Sequence, residues 1–241
     1  MINGLDLFSG IGGLTLALRQ WVKPIAYCER DPYCQAVLLQ RMADRSIPEA
    51  PIWDDVSTFR SGDCLGDDRN TDIIYGGFPC QDISVAGTGT GLEGKRSGLY
   101  FEIERLVDEL RPTYVFLENV PAIRKRGSAR IISGLSRLGY VCRWTTVTAA
   151  EVGAPHIRKR WFLLAHSNRK GLERQLQPWG IPKKLSSPDR SGWWSTEPSV
   201  GRVANGVPAR VDRIKGLGNA VVPLQAKVAF ERLMGLEKEK K

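Results

Sequence analysis

The run DLFSGIGG at Asp6–Gly13 sets three glycines between a short apolar segment and a stretch with helical spacing. A strand, a glycine turn and a helix in that order form the first βα step of a parallel α/β fold, in which the turn lets backbone approach a ligand closely. The turn lacks the spacing of the dinucleotide fingerprint, and no phosphate-binding lysine follows it.

The alternation continues. Gly4–Phe8 reads as a first strand, Gly13–Trp21 as a helix and Ile25–Cys28 as a second strand. Asp31 and Pro32 suit an N-cap and a first helical position, ahead of helical spacing over Tyr33–Met42. Asp72–Tyr75 and Tyr114–Leu117 are short apolar strands, and Tyr100–Leu110 and Ala129–Leu138 are amphipathic helices. Val141–Val147 and Trp161–Ala165 read as late strands that could pair as a hairpin, and Val222–Leu233 as a closing helix with Pro223 near its start. Gly87–Gly98 carries five glycines and reads as a mobile loop.

Charge divides the chain. Residues 156–215 carry 13 Lys and Arg against 4 Asp and Glu, whereas residues 1–155 are nearly balanced. A basic segment so concentrated suits a surface facing phosphates, or a solubilising loop. Residues 167–209 are rich in Pro, Gly, Ser and basic residues, with Trp179, Trp193 and Trp194 as apolar anchors or stacking rings. Five cysteines, with no two-residue spacing, and two histidines argue against a disulfide framework and a zinc site. The absence of a long apolar run or leader pattern gives a cytoplasmic expectation with no membrane partner.

Four segments carry chemistry. GGFPCQDIS at Gly76–Ser84 follows a strand and puts Cys80 at the carboxyl edge of the sheet, as a nucleophile or as a buried structural thiol. FLENV puts Glu118 and Asn119 at the end of the next strand. GAPHIRKRWF holds Arg158 and Arg160 two residues apart, on one side if extended. Glu29 closes the second strand, where a carboxylate can accept from ribose hydroxyls, and Asp55 could accept from an adenine amine; either one taken alone reads more readily as a solvent-facing acid at a strand end.

Taken in order, DLFSGIGG, GFPCQDIS, ENV, RKR and GNAVVP resemble the DNA cytosine-5 methyltransferase family, in its small bacterial or phage form. The resemblance implies a Rossmann-like α/β fold that binds S-adenosylmethionine, with residues 1–166 completed by 216–241. Residues 167–215 would form a small, loop-rich target-recognition module. It implies methylation of cytosine carbon 5 in double-stranded DNA at a short site, on a flipped-out base, by a monomer. A restriction endonuclease partner would not be physically required. Cys80 would add to carbon 6, Glu118 would bind ring nitrogen 3 and the exocyclic amine, and Asn119 would hold the Pro79–Cys80 backbone. Arg160, supported by Arg158, would hold oxygen 2. Phe8, Gly10, Ile11 and Gly13 would line the cofactor's methionine and adenosine, with Glu29 on the ribose and Arg30, Asp55 and Val56 at the adenine. Pro79 and Leu99 would flank it, and Asn219, Ala220 and Val221 would complete the pocket. The 81–98 loop would close over the base, and Lys95, Arg96, Arg124, Lys125, Arg126 and Arg130 could meet phosphates. Arg169, Lys170, Arg174, Lys183, Lys184 and Arg190 could contact phosphates or guanine. His156 stands where the family commonly has Gln, and reads more readily as a structural histidine. An RNA cytosine methyltransferase or a silent DNA-binding homologue are the alternatives.

Overall fold

A computed structural model describes residues 1–64, 70–79, 99–167 and 210–236. Among these, seven strands form one sheet in the order β3-β2-β1-β4-β5-β7-β6. In chain order β1 is Ile2–Leu7, β2 Val22–Cys28, β3 Ile52–Trp53, β4 Ile73–Gly77, β5 Tyr114–Asn119, β6 Tyr140–Thr148 and β7 Lys159–Ser167. The first five run parallel; β7 is antiparallel to β5 and forms a hairpin with β6. The fold is thus the expected α/β type.

The chain leaves β1 towards β2 and β3, then returns to place β4 on the other side of β1. This reversal opens a crevice beyond the carboxyl ends of β1 and β4, where open α/β sheets bind ligands. The two strands meet closely there: a Cβ on Gly76 would stand 2.4 Å from the Leu7 carbonyl oxygen.

Helices cover both faces. Following the chain, α1 is Gly13–Leu18, α2 Pro32–Ala43, α3 Ser61–Cys64 and α4 Tyr100–Leu110. They are followed by α5 Ile123–Arg126, α6 Ser128–Arg137, α7 Arg210–Asn219 and α8 Pro223–Leu233. On one face Leu5, Leu7, Val115 and Leu117 bury against Tyr100, Ile103, Leu106 and Val107 of α4 and Ile131 and Leu135 of α6. On the other, Phe116 and Phe162 bury against Leu14 and Leu18 of α1 and Ala226, Ala229 and Phe230 of α8. Phe230 meets Phe116 edge-on at 5.2 Å and Trp21 at 5.3 Å.

A bulge in β2 reconciles its pattern with both faces. The register slips between Gly4 and Leu5, leaving Ile25 unpaired. Val22 therefore joins the α1/α8 core, whereas Ala26 and Cys28 join the α4/α6 core. The α2 start follows its sequence: the Asp31 carboxylate accepts from the Tyr33 and Cys34 amides, with Pro32 at the first position. No helix among the described residues is long and apolar enough to cross a membrane.

Candidate active site

Two clusters meet in the crevice. The first grows from the turn after β1. Phe8, Gly10 and Gly12 all take positive φ, 54°, 54° and 82°, which folds five residues into a tight curve. Glu29, at the end of β2, clamps that curve: its Oε2 accepts from the Gly10 amide at 2.7 Å and its Oε1 from the Asp31 amide at 2.7 Å. Gly13 is needed for contact with the far end of the chain, since a Cβ there would stand 2.9 Å from Val221 Cγ1 and 3.0 Å from the Val221 carbonyl oxygen. Gly216 lies over Ile11 and Tyr33, and Lys215 pairs with Asp31. Asn219, Ala220 and Val221 are thereby brought beside Ile11 and Gly13, nearly the whole chain away in sequence.

Under this turn lies a buried polar network. Thr15 Oγ1 donates to Asp6 Oδ2 at 2.6 Å and lies 2.9 Å from the Tyr75 hydroxyl. Burial pushes the Asp6 carboxyl up to about 8, against the Thr15 hydrogen bond and with help from the Glu29 charge. Sequence reading missed this role; a lone acid between Leu5 and Leu7 was its one signal.

After β3, Asp55 is turned inward on its own loop. Its Oδ1 accepts from the Ser57 amide at 2.9 Å and the Ser57 hydroxyl at 2.7 Å, which holds the carboxyl below its usual range. The Val56 side chain is in the core, and its carbonyl accepts from Arg105. Arg30 is exposed and adds an attractive charge to Asp55. Pro79 and Leu99 border the undescribed 80–98 segment, and Leu99 packs against the α4 core.

The second cluster sits at the ends of β5 and β7. Glu118 and Arg160 lie on one face because Glu118 pairs with Phe162 across the ladder. Arg160 Nε reaches Glu118 Oε1 at 2.9 Å, and the side chains are 16% and 12% exposed. Burial raises the Glu118 carboxyl above its ordinary range, with Arg160 and then Arg158 opposing. Gly77 makes room for it: a Cβ there would stand 2.8 Å from Glu118 Oε2.

Asn119 points to the other face and donates from Nδ2 to the Phe78 carbonyl at 3.2 Å, while its Oδ1 accepts from the Val120 amide. It fixes the chain one residue earlier than the Pro79–Cys80 backbone expected of it. Arg158 departs further. It precedes β7, so strand alternation does not orient it, and its Nη2 donates to the Gly218 and Ala220 carbonyls at 2.9 and 2.6 Å. The guanidinium thus ties the arginine segment to the C-terminal segment. Buried Gln225 adds a second tie, donating from Nε2 to the Val147 and Arg158 carbonyls at 2.7 Å each. Its signal in the sequence was one amide on the apolar side of the last helix. His156 is half-buried.

Cys80, Lys95 and Arg96 lie outside the described residues, as does the rest of the 81–98 loop. So do Arg169, Lys170, Arg174, Trp179, Lys183, Lys184, Arg190, Trp193 and Trp194. The boundary expected at 215/216 falls inside α7, whose Lys215 already docks on α2.

A family model described as C-5 cytosine-specific DNA methylase matches residues 2–204. The Type II methyltransferase M.CviJI of Paramecium bursaria Chlorella virus IL3A is 32% identical over 95% of this chain and 58% of its own length. The Type II methyltransferase M2.BsuMI of Bacillus subtilis is 38% identical over 67% of this chain and 41% of its own. The chain spans about half the length of these curated relatives. Among solved structures, a candidate DNA modification methyltransferase encoded within an E. coli prophage superposes with a TM-score of 0.57. It is 29% identical and covers 69% of this chain and 47% of that one.

Proposed function

The chain belongs to the C-5 cytosine-specific DNA methylase family, and on that premise we propose that it methylates carbon 5 of cytosine in double-stranded DNA. The site is a short specific sequence, the methyl donor is S-adenosylmethionine and the nucleophile is Cys80. The carrying observation is the Glu118–Arg160 pair, with a carboxyl raised by burial, at the strand ends, where Glu118 lies across from Gly77 of β4.

The first cluster fits the cofactor. Its positive-φ turn has open space at Gly10, where a Cβ would meet nothing within 4 Å, and Glu29 presents a carboxylate at the strand end. Phe8, Gly10, Ile11 and Gly13 would hold the methionine and adenosine portions, and Glu29 the ribose. Arg30, Asp55 and Val56 would border the adenine, and Pro79, Leu99, Asn219, Ala220 and Val221 would close the pocket. When bound, the cofactor supplies an electrophilic methyl group on a sulfonium.

Carbon 5 of cytosine is too weak a nucleophile to take that methyl unaided. Thiolate addition from Cys80 to carbon 6 breaks the aromaticity and makes carbon 5 enamine-like. The charge that arrives on the ring needs a proton shared at nitrogen 3, and Glu118 is suited to hold it because its carboxyl is biased towards the neutral form. Arg160 donates to oxygen 2 and holds Glu118 in place. Asn119 positions the chain leading to Cys80 through Phe78, and Arg158 braces the cofactor segment. Loss of the carbon-5 proton then expels the thiolate. The base must leave the duplex stack first, which costs a few kcal/mol. In this reading residues 1–166 and 216–241 form the catalytic body and the basic 167–215 region reads the target. The protein acts as a cytoplasmic monomer that does not physically require a restriction endonuclease.

A duplex carrying 5-fluorocytosine at the methylated position tests this. With S-adenosylmethionine it should become covalently joined to the protein through Cys80, because fluorine cannot leave as a cation. Bisulfite sequencing of DNA from expressing cells supplies the site. Methyl transfer to tRNA with none to duplex DNA would overturn the substrate.

A further inference from the structure

Beside the site, on the α4/α6 face of the sheet, lies a groove that the proposed chemistry leaves unused. After β5 the chain turns through Pro121 and Ala122 into α5, where Arg124, Lys125 and Arg126 follow in succession and are exposed. Ile123 is fully buried, so the base of this cationic turn is anchored in the core. Facing it is Trp144, on the edge strand β6, with 44% of its surface exposed. The Arg124 guanidinium lies over the indole, 4.8 Å from the ring centroid. Lys159 opens β7 across from Thr148, on the same face as Trp144, and is the sequence neighbour of Arg160. The groove holds about 600 Å³, and four of its eight described lining residues are cations, with no acid among them.

Each feature points to a polyanion rather than to a small ligand. Arg124, Lys125 and Lys159 bring like charges to one opening, and no acid is among the described residues that line it. An indole left exposed on an edge strand buries little, yet it fixes the plane of Arg124. A guanidinium stacked by its face keeps its N–H donors at the rim, in the fork that suits phosphate oxygens. The Glu118–Arg160 pair is one register step away along β5 and β7, on the opposite face of the sheet. Lys159 and Arg160 are adjacent on β7 and alternate between the two faces, so the groove and the pair adjoin at the start of that strand.

We propose that the groove between α5 and the β6–β7 hairpin binds the sugar-phosphate backbone of the DNA strand beside the extruded cytosine. Arg124, Lys125 and Lys159 are its contacts and Trp144 is the platform that holds Arg124. The inference rests on the DNA reading above. It assigns sequence-independent affinity to a surface separate from the basic 167–215 region.

The experiment compares the wild-type protein with the triple variant Arg124→Ala, Lys125→Ala, Lys159→Ala, and with Trp144→Leu and Trp144→Phe. Duplex binding is followed by anisotropy over a salt series, and methylation by kcat and KM. Each phosphate contact contributes a slope of about −0.9 in log K against log salt, so the triple variant should be shallower by about two to three. Its loss of affinity should be the same for duplexes of different sequence, with KM for DNA raised and kcat at saturating DNA nearly unchanged. Trp144→Leu should lose part of this and Trp144→Phe should restore it. If the wild type methylates duplex DNA while the triple variant keeps its slope and KM, the groove assignment is wrong. If the variants lose binding to structured RNA only, it is also wrong. A wild type that neither methylates nor is trapped by the fluorinated duplex sinks the functional reading, and this one with it.

Discussion

Glu118 is under two opposed influences. Burial favours the neutral carboxyl, and Arg160 at 2.9 Å favours the ionised one; burial wins. A group so balanced can share a proton with a ring nitrogen at little cost when charge arrives there. Glu118→Gln keeps the shape and one hydrogen bond but loses the shared proton. It should fold normally, bind S-adenosylmethionine as before and lose about 10²–10⁴-fold in kcat, read by methyl incorporation at saturating DNA. Gly77→Ala tests the same side chain from its other flank, because the new Cβ would stand 2.8 Å from Oε2. Displacement of a catalytic group by about 1 Å can cost ~10²-fold, so kcat should fall while the melting temperature changes little. Asp6 gives the pH test. Its folded carboxyl titrates at about 8, above the ordinary 3.8. Between those values the unfolded chain releases a proton that the folded chain keeps, so this group's stabilising contribution declines through that window and then levels off. Asn has no such proton. The melting temperature of Asp6→Asn relative to wild type should therefore climb from pH 5 to pH 8; a constant difference would count against a neutral buried Asp6.

At the scale of elements, the β6–β7 hairpin and the C-terminal segment act as one piece through Arg158 and Gln225. Two charge-assisted hydrogen bonds run from Arg158 to the carbonyls of Gly218 and Ala220. A hydrogen bond to a charged group contributes on the order of 1.5–3 kcal/mol. Arg158→Ala should therefore weaken S-adenosylmethionine binding about 10- to 100-fold, with KM for DNA nearly unchanged. An effect on DNA alone would return Arg158 to the cytosine. The sequence could not show this arrangement. It marked Arg158 and Arg160 as partners by strand alternation, but β7 begins at Lys159, so the rule does not reach Arg158. Where periodicity was long it served well: helix α4 spans the expected Tyr100–Leu110, and the late strands pair as a hairpin. It failed where neighbours make the element. The two-residue strand β3 exists by pairing Ile52 and Trp53 with β2. Helix α7 contains Gly216 and Gly218, poor helix formers, and is held by Lys215 on Asp31 and by Gly216 over Tyr33. The motif residues were legible because their chemistry restricts residue type, whereas Gln225 and Thr15 act through tertiary contacts that local sequence does not display.

For the whole molecule, the last described helix in the chain packs against the first one and against the β6–β7 hairpin. Helix α8 buries Ala226, Ala229, Phe230 and Leu233 against α1 and the central strands, and the segment before it packs on Gly13. Phe230 fills the space between Trp21 and Phe116. An isolated helix of eleven residues is marginal in water, so α8 gains its stability only by docking. A chain cut after residue 209 should leave that core face wet, bind a hydrophobic dye, unfold without a sharp transition and fail to bind S-adenosylmethionine. A synthetic peptide of residues 210–241, added in trans, should restore cooperative unfolding and cofactor binding together, in a saturable, concentration-dependent way. The same peptide with Phe230→Ala should dock more weakly, by about 3–5 kcal/mol if the cavity does not collapse. If the truncated chain binds the cofactor with full affinity, the C-terminal segment is not part of the pocket and the roles given to Arg158 and Val221 fall with it. If the peptide restores folding but not binding, α8 is a structural brace and the pocket closes elsewhere.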